Sequence, residues 1–416
     1  MSALDTLSFA QMLASWCQLI FHMTKRGPKS NRRSEAEHET GDSRPVFVYN
    51  SPMSDENRAS ILLAPVQLGR LTIANRFVRS ATQDYMARDE GEVTDRQVGL
   101  FRILAEGEIG LIITGHAYVH PLGKAGPNQI AIFDDRFVPG LSRIADAVHG
   151  RSSKVFVQLA HAGRQTKKRY VAGTPVSPSV VPDPVSRVNP REMTAGEIEA
   201  LIGDFVRAGL RARDAGFDGV QLHAAHGYLL SSFLSPHTNR RTDEWGGALP
   251  NRVRVIVEIL RGVKEAAGRD FPVIAKLNTT DFLTDGLMLD DAVEAARLLE
   301  VDGLDGIEVS GGMAESGKGS VWTGVRIEAD EGYFVENAAA VKRAVHIPVS
   351  GLGGIRTLAA AERFVAEGRV DLISMSRPFI RDPFLVRRFR EGAIDRSDCI
   401  SCNKCFNLRG IRCAQK

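Results

Sequence analysis

The stretch KVFVQLA, residues 154–160, is a run of apolar and β-branched side chains that ends in a small residue. Such a run is typical of a buried strand. Runs of the same kind recur along the chain, and each is followed by a longer segment with helical spacing of its apolar residues. Together they predict eight strands, at residues 76–81, 110–115, 154–160, 218–224, 272–278, 305–311, 347–353 and 370–376.

The segments between these strands predict helices, several of which follow a Thr, Asp or Asn that can cap a helix. They lie at residues 95–106, 137–149, 195–215, 250–267, 290–300, 334–345 and 357–368. Strict alternation of strands and helices requires crossover connections and a parallel sheet. The count of eight favours a closed (β/α)8 TIM barrel of the α/β class, with a doubly wound open sheet as the alternative. No Gly-x-Gly-x-x-Gly follows the first strand, which favours the barrel. Ahead of that strand, residues 62–77 predict a short hairpin that closes the bottom of the barrel.

Length and composition indicate one elaborated barrel with two appendages. The chain has 416 residues, of which 43% are hydrophobic and 25% charged, enough to bury a large core. We predict a poorly ordered N-terminal extension at residues 1–58, because residues 24–45 are polar and dense in charge. The barrel is then predicted at 59–395 and a cysteine-rich C-terminal cap at 396–416. Translation could start at Met1 or at Met53.

Several partners and locations are disfavoured by the same composition. A net charge of +3 is too small to predict a nucleic-acid surface. The apolar run at residues 8–23 is shorter than the roughly 20 residues that a membrane helix needs, although it could be an organelle address. Four of the five cysteines lie in the last 18 residues, which indicates a reducing, cytoplasmic compartment rather than a disulfide framework. We expect small-molecule partners, and a homo-oligomer is compatible with the sequence.

In a barrel of this kind the polar residues at the C-terminal strand ends share one mouth, where the active site lies. The seventh and eighth strands end in Gly353 and Gly354 and in Ser376 and Arg377. Backbone N–H groups freed by the two glycines, a helix beginning near Thr357 and the fixed charge of Arg377 predict a phosphate site there.

The fourth strand ends in the sequence His223-Ala-Ala-His226-Gly-Tyr228. A His-x-x-His spacing could be half of a zinc site, but zinc needs a third and usually a fourth ligand. As a pair without metal, His223 and His226 can donate N–H bonds to one carbonyl oxygen, with Tyr228 as a proton donor. Gln158 and Lys276 stand at neighbouring strand ends.

These residues resemble the Old Yellow Enzyme family of FMN-dependent ene-reductases, also called NADH:flavin oxidoreductases. The resemblance covers residues 61 to about 390 and rests on motifs in the family's order: VQLAHAGR at 157–164, HAAHGYLLSSFLSP at 223–236, NRRTDEWGG at 239–247 and SMSRPFIRDP at 374–383.

The resemblance implies an FMN across the mouth and NAD(P)H as the reductant. It implies that Gln158 bonds the pyrimidine edge of the flavin and that Lys276 lies beside its N1–C2=O edge, in the place of a basic residue that is often Arg. Gly353, Gly354, Ser376 and Arg377 would hold the FMN phosphate. His223 and His226 would bind the carbonyl oxygen of the substrate, and Tyr228 would protonate the α-carbon while hydride from flavin N5 reaches the β-carbon.

Two further residues are assigned to the cofactor. Gln83 stands where many relatives place Thr or Cys near the flavin C4=O, and Gly115 ends the second strand at the same mouth. Tyr85, His116 and Tyr118 are candidates for the substrate side.

The last segment of the chain carries Cys399, Cys402, Cys405 and Cys413. It resembles the cluster region of 2,4-dienoyl-CoA reductases, which hold a [4Fe–4S] cluster with the spacing Cys-x2-Cys-x3-Cys-x11-Cys. The spacing here is Cys-x2-Cys-x2-Cys-x7-Cys, which suits iron–sulfur or zinc ligation as well as free thiols. Because a cluster would have no second flavin to relay to, we expect no metal in this segment.

The sequence therefore predicts an FMN-dependent NAD(P)H oxidoreductase that reduces the C=C bond of α,β-unsaturated carbonyls or similar activated alkenes. Two alternatives stay open. One is a dienoyl-CoA-reductase-like enzyme with a [4Fe–4S] cluster, and the other is a barrel that binds a phosphorylated ligand without redox turnover.

Overall fold

The structure is a computed structural model that describes residues 60–317 and 319–415. The extension predicted at residues 1–58 lies outside the described residues.

Within the described residues, twelve strands form one barrel and two small sheets. Eight of them close a parallel barrel in the order β10-β11-β12-β3-β4-β5-β8-β9, which confirms the predicted (β/α)8 fold. The twelve are β1 Val66–Leu68, β2 Leu71–Ile73, β3 Phe77–Arg79, β4 Leu111–Tyr118, β5 Lys154–Ala160, β6 Val176–Ser177, β7 Arg191–Glu192, β8 Gly219–Ala224, β9 Val273–Asn278, β10 Gly306–Ser310, β11 Val349–Gly351 and β12 Leu372–Met375.

Within the described residues, helices surround the barrel both in the seven segments where the apolar spacing predicts them and in three short segments, 229–234, 377–381 and 385–390, where the sequence predicts none. They are α1 Asp95–Glu106, α2 Val138–His149, α3 Ala195–Asp214, α4 Leu229–Leu234, α5 Leu249–Ala267, α6 Leu289–Val301, α7 Val335–Lys342, α8 Leu358–Ala366, α9 Arg377–Arg381 and α10 Leu385–Arg390. The predicted caps also form: the side chains of Thr94, Thr194 and Thr357 accept N–H bonds in the first turns of α1, α3 and α8. Each such cap is worth about 1 kcal/mol.

The antiparallel hairpin of β1 and β2 closes the lower end of the barrel, as the sequence predicts. Its buried residues Leu68 and Ile73 pack into an interior cluster with Val78, Ile113 and Phe156 from the barrel strands. Fully burying side chains of this size contributes about 1.5–3 kcal/mol each. The apolar plug leaves the polar interior positions at the opposite, C-terminal end.

A β-bulge interrupts β4 just where it approaches that polar end. Ile113 is paired with Phe156 on β5, but the next pair is His116 with Gln158, so β4 has one extra residue. Bulges re-aim side chains and are common beside active sites. Here the bulge brings His116 level with Gln158.

Residues 396–415 form no helix or strand and contact the rest of the fold at several points along their length. Arg396 pairs with Thr357 in a single bridge, and the N–H of Ile411 donates to the Asp84 carbonyl at 2.8 Å. Across the part of the chain that the structure describes, no helix is both long and apolar enough to cross a membrane.

Candidate functional site

One cavity lies at the C-terminal ends of the barrel strands, with a volume of about 1020 Å³ that includes its opening. It brings together all the predicted catalytic and cofactor-binding residues except Gly115. They are Gln83, Gln158, His223, His226, Tyr228, Lys276, Gly353, Gly354, Ser376 and Arg377.

Gly115 lies in the bulge of β4 and does not line the cavity. A Cβ at this position would meet the Thr82 carbonyl oxygen at 3.0 Å and Gln83 Oε1 at 3.1 Å. The glycine therefore lets the Thr82–Gln83 segment approach β4 closely, which sets the position of Gln83 in the wall.

The loop after β11 forms one end of the cavity. Gly353 and Gly354 have φ angles of +127° and +74°, a region that L side chains rarely adopt. A Cβ on Gly353 would lie 2.7 Å from the backbone nitrogen of Tyr333, so only glycine fits there. Across the same end, Ser376 Oγ is 2.7 Å from Thr82 Oγ1.

The buried carboxylate of Glu331 fixes the C-terminal half of this loop. Glu331 accepts hydrogen bonds from the backbone N–H groups of Arg356 and Thr357 at 2.9 and 3.0 Å, and from the Thr357 hydroxyl at 3.0 Å. Helix α8 then starts at Leu358, close to the helix start that the sequence predicts. Contacts within the protein therefore hold this loop in shape before any ligand enters.

Arg377 lies at the same end, and one of its guanidinium nitrogens is held by protein contacts. Its Nη1 donates to the Trp322 carbonyl and to Asn403 Oδ1, both at 2.7 Å, and the residue is 6% exposed. Asn403 belongs to the C-terminal segment, and its Nδ2 donates to the Val321 carbonyl at 3.0 Å. The cap therefore orients the predicted phosphate-binding arginine.

A chain of polar side chains runs across the barrel interior below the other end of the cavity. Gln158 Nε2 donates to Gln221 Oε1 at 2.8 Å, and Gln221 Nε2 donates to Glu308 Oε2 at 3.0 Å. Lys276 Nζ is 3.3 Å from the same carboxylate oxygen and donates to Ser80 Oγ at 2.8 Å. Burial raises the pKa of Glu308, but Lys276 and hydrogen bonds from hydroxyl and amide groups outweigh it and hold the pKa below its usual value. The glutamate is therefore ionised at neutral pH.

Three imidazoles and one phenol meet at the third side of the cavity. The ring centroid of Tyr228 lies 4.8 Å from that of His223 and 5.3 Å from that of His116. The rings of His223 and His226 are 5.2 Å apart and nearly perpendicular. His226 Nε2 lies 2.7 Å from Ser310 Oγ, and the positive φ of His226, +64°, is fixed by the bond from its N–H to Asn278 Oδ1 at 3.0 Å.

Burial keeps these groups uncharged. It lowers the pKa of His116 to about 4. It also lowers the pKa of His223 and of His226 well below the usual value, and neighbouring positive groups, Lys276 among them, lower both further. Burial, together with the nearby Tyr85, raises the pKa of Tyr228. The site thus offers neutral N–H donors and a protonated phenol at pH 7.

Two of the buried imidazole nitrogens, His116 Nε2 and His223 Nδ1, have no hydrogen-bond partner among the described residues. An unpartnered buried polar atom costs about 1–3 kcal/mol. Such a cost is common at sites built for a ligand or for catalysis.

The four C-terminal cysteines line a second, small pocket of about 320 Å³, which they share with Arg377 and Arg381. Burial raises the pKa of Cys399, and raises that of Cys405 to about 11, so these thiols are protonated at neutral pH. Within residues 60–317 and 319–415, no three His, Cys, Asp or Glu side chains are placed to hold a metal ion.

Comparison with known proteins identifies the family. The profile of the NADH:flavin oxidoreductase / NADH oxidase family matches residues 61–396. The chain belongs to this family. Membership confirms the predicted resemblance to this family, which is one of oxidoreductases that use flavin and NAD(P)H. The likeness of the cysteine segment to 2,4-dienoyl-CoA reductases stays a prediction.

Individual members of the NADH:flavin oxidoreductase family differ in length and activity. The chain is 39% identical over 345 residues to an NADH oxidase of Thermoanaerobacter brockii, covering 82% of this chain and 52% of that protein. It is 33% identical to a 4,4'-dithiodibutanoate disulfide reductase of Rhodococcus erythropolis, covering 85% of this chain and 94% of that protein. The chain thus spans about half the length of the first of these relatives.

Solved structures of the family share the barrel. A 2-naphthoyl-CoA reductase in complex with 2-naphthoyl-CoA superposes with a TM-score of 0.78 at 32% identity, covering 83% of this chain and 54% of that one. An old yellow enzyme homologue from Zymomonas mobilis gives 0.71 at 25% identity, covering 85% and 97%.

Some residues of the site were not predicted from the sequence. Ser401 and Phe406 of the C-terminal segment line the main cavity, and no local pattern indicated that this segment would reach it. Tyr333 also lines the cavity, and no local pattern in the sequence indicated this either. Glu308, in contrast, did have a signal, because a carboxylate stands in the middle of an otherwise apolar predicted strand, GIEVS.

Proposed function

We propose that this chain is an FMN-dependent NAD(P)H oxidoreductase that reduces the C=C bond of α,β-unsaturated carbonyls or similarly activated alkenes. The observation that carries the proposal is the meeting of three groups in one cavity. These are an anion cradle, a polar chain with a buried lysine, and neutral histidines beside a protonated tyrosine.

The residues present fit FMN. The glycine cradle, where a Cβ on Gly353 would meet backbone at 2.7 Å, suits a phosphate that approaches the main chain closely. Gly354, Ser376 and Arg377 complete this end. At the other end, Gln158 and Lys276 suit the pyrimidine edge of the isoalloxazine ring, with Gln83 beside it. When bound, FMN supplies a hydride donor and acceptor at its N5 atom.

The chain's own residues supply the rest of the chemistry. Hydride addition to an activated alkene develops negative charge on the carbonyl oxygen, so donors fixed at that position lower the barrier. His223 and His226 are neutral, and each can donate one N–H to this oxygen. Ser310 and Asn278 hold His226 in place for this role.

Tyr228 is the proposed proton donor to the α-carbon. Burial raises the pKa of its phenol, so the proton stays on oxygen until the adjacent carbon becomes strongly basic. The close packing of its ring against His223 and His116 fixes its direction.

Rapid-mixing spectroscopy tests the proposal. The purified protein is mixed anaerobically with NADH or NADPH, and we expect the flavin absorbance to bleach. The reduced protein is then mixed with enones, maleimides and nitro compounds, and with an alkyl disulfide because one relative is a disulfide reductase. Fast reoxidation by the activated alkenes supports the proposal. Reoxidation by the disulfide alone would assign a different substrate, and a protein that binds no FMN even after reconstitution would be a non-redox barrel.

A second candidate is a cluster-bearing enzyme of the dienoyl-CoA-reductase kind, favoured by the position of four cysteines around one pocket beside Arg377. The arrangement of the described side chains does not itself form a metal site. Iron and acid-labile sulfide assays after anaerobic purification separate the two candidates. A spectrum of flavin alone, with no iron, would eliminate the cluster.

A further inference from the structure

Glu308 lies at the centre of the polar chain in the barrel, yet no step of the proposed reaction uses it. It stands on β10 directly beside Lys276 of β9 in the strand register. Its side chain is 2% exposed and that of Lys276 is 5% exposed. An ionised carboxylate this deep requires compensation by positive charge and by hydrogen bonds.

The carboxylate compensates the charge of Lys276. The 3.3 Å contact between Lys276 Nζ and Glu308 Oε2 is the one ion pair that Lys276 makes within the described residues. The same carboxylate also interacts with a second buried cation, Arg79. Burial lowers the pKa of Arg79 to about 10, and the negative charges of Asp84 and Glu308 oppose this shift. Glu308 therefore reduces the positive field that this end of the cavity presents.

The same carboxylate also decides how two amides are turned. An ionised carboxylate only accepts hydrogen bonds, so Gln221 must point its NH₂ group at Glu308 and its oxygen at Gln158. Gln158 must then give an N–H to Gln221, at 2.8 Å, which fixes the direction of its own amide. One acidic group thus sets the donor and acceptor pattern that Gln158 offers to a ligand.

We propose that Glu308 is a positioning residue which, through Lys276 and Gln158, sets how strongly the cavity stabilises reduced FMN relative to oxidised FMN. The inference rests on the proposed function, because it concerns the flavin end of the same cavity. Reduced FMN carries more negative charge at its N1–C2=O edge than oxidised FMN. A weaker positive field there keeps the midpoint potential low, which favours passing hydride on to the alkene.

The main test is the two-electron midpoint potential of the bound flavin, measured by spectroelectrochemistry on the full chain. Glu308→Gln removes the negative charge and leaves Lys276 uncompensated. We expect the affinity for reduced FMN, relative to oxidised FMN, to rise at least tenfold. For a two-electron couple this is a rise of about 30 mV in the potential.

Two controls separate the charge from other effects. Asp371→Asn breaks another lysine–carboxylate pair, a more exposed one with Lys342 Nζ at 2.7 Å, at the opposite end of β12, and should leave the potential unchanged. In a Lys276→Met background the effect of Glu308→Gln should shrink, because the inferred action passes through the lysine.

Glu308→Asp keeps the negative charge on a shorter side chain. This variant provides the test if the Glu308→Gln protein does not bind FMN. We expect a potential near that of the wild type and at least a fivefold weaker binding of FMN, because the Gln221–Gln158 amides lose their anchor. FMN binding that is unchanged in Glu308→Asp would overturn the inference. So would a Glu308→Gln protein that holds FMN at the wild-type potential, and in both cases the proposed function would stand. A wild-type chain that binds no FMN would instead overturn the proposed function, and the inference with it.

Discussion

At the scale of single residues, the site depends on burial to keep proton donors neutral. His223, His226 and Tyr228 all lie in the wall of one cavity, and burial is the largest cause of each pKa shift. A charged imidazole there would be repelled by Lys276, whose positive charge already acts on both histidines. The same environment that lowers the pKa of the bases raises that of the phenol, so no group needs to change protonation state before the substrate binds.

Replacing Tyr228 by Phe should separate the two halves of the catalytic cycle. The phenol has no part in flavin reduction by NAD(P)H, so that rate should stay within about twofold. Alkene reduction should slow by about 10²-fold or more, the usual contribution of a positioned general acid. Tyr170→Phe, which removes a phenol outside the cavity wall, is the control. Stopped-flow measurement of both half-reactions decides, and equal losses in the two would refute the role.

Buried histidines should also make the fold sensitive to acid. Burial lowers the pKa of His161 to about 3, with a smaller effect from His120, while an unfolded histidine titrates near 6.5. Below pH 6.5 the unfolded chain therefore binds a proton that the folded chain does not, and the free energy of unfolding falls as the pH drops towards 3.

Comparing His161→Gln with the wild type isolates this effect from the titration of carboxylates. The variant should lose less of its free energy of unfolding between pH 7 and pH 5 in urea titrations. His346→Gln, at a side chain that is 99% exposed, should behave like the wild type. Identical pH slopes for all three proteins would contradict the prediction.

At the scale of elements, the loop between β11 and α8 has the shape that the proposed anion cradle requires. Gly353 and Gly354 give it its shape, and Glu331 anchors its outgoing residues from behind. The loop then leads directly into a helix, whose N-terminal end favours negative charge.

Gly353→Ala should damage FMN binding more than it damages the fold. The new Cβ would meet the Tyr333 backbone nitrogen at 2.7 Å and would sit at a φ of +127°. A residue held in such a conformation costs about 1–3 kcal/mol. We therefore expect the dissociation constant for FMN to rise at least tenfold in fluorescence titrations. Gly368→Ala has a similar backbone penalty, at φ +68° with open space around it, and should bind FMN normally. Equal FMN affinity in the two variants would show that the loop with Gly353 is not part of the FMN site.

Most of these elements could be predicted because their causes are local. The strand at 154–160 is visible in its own residues, and Thr357 and Gly353 carry cap and turn chemistry that short-range rules describe. The place of Gly115 in a bulge, and its close approach to the Thr82–Gln83 segment, have no signal in the sequence. A register shift between two strands has no signature in either strand alone.

At the scale of the whole molecule, the C-terminal segment is part of the main cavity, where we propose that FMN binds. Ser401 and Phe406 line it, and Asn403 holds Arg377. These contacts join residues more than 20 positions apart, which is why the sequence predicted the segment as a cap but not as a wall. Phe406 is also 40% exposed, so the wall it forms is thin.

Asn403→Ala should show how far the cavity depends on that segment. The variant loses the 2.7 Å bond to Arg377 and the 3.0 Å bond to the Val321 carbonyl. Hydrogen bonds to charged groups contribute about 1.5–3 kcal/mol, so FMN affinity should fall by about tenfold or more. Asn407→Ala loses only a local bond from the Arg409 N–H and is the matched control. Isothermal titration with FMN measures both, and equal affinities would show that Arg377 needs no support from the segment.

The hairpin of β1 and β2 has a consequence for proton transfer to the site. With Leu68 and Ile73 packed into the lower barrel, apolar side chains of the described residues fill the strand interior on that side. In the proposed reaction, we therefore expect the proton given up by Tyr228 to be replaced through the same opening that admits substrate and coenzyme. Reprotonation then belongs to the interval when the opening is free, after the product has left and before the next molecule enters.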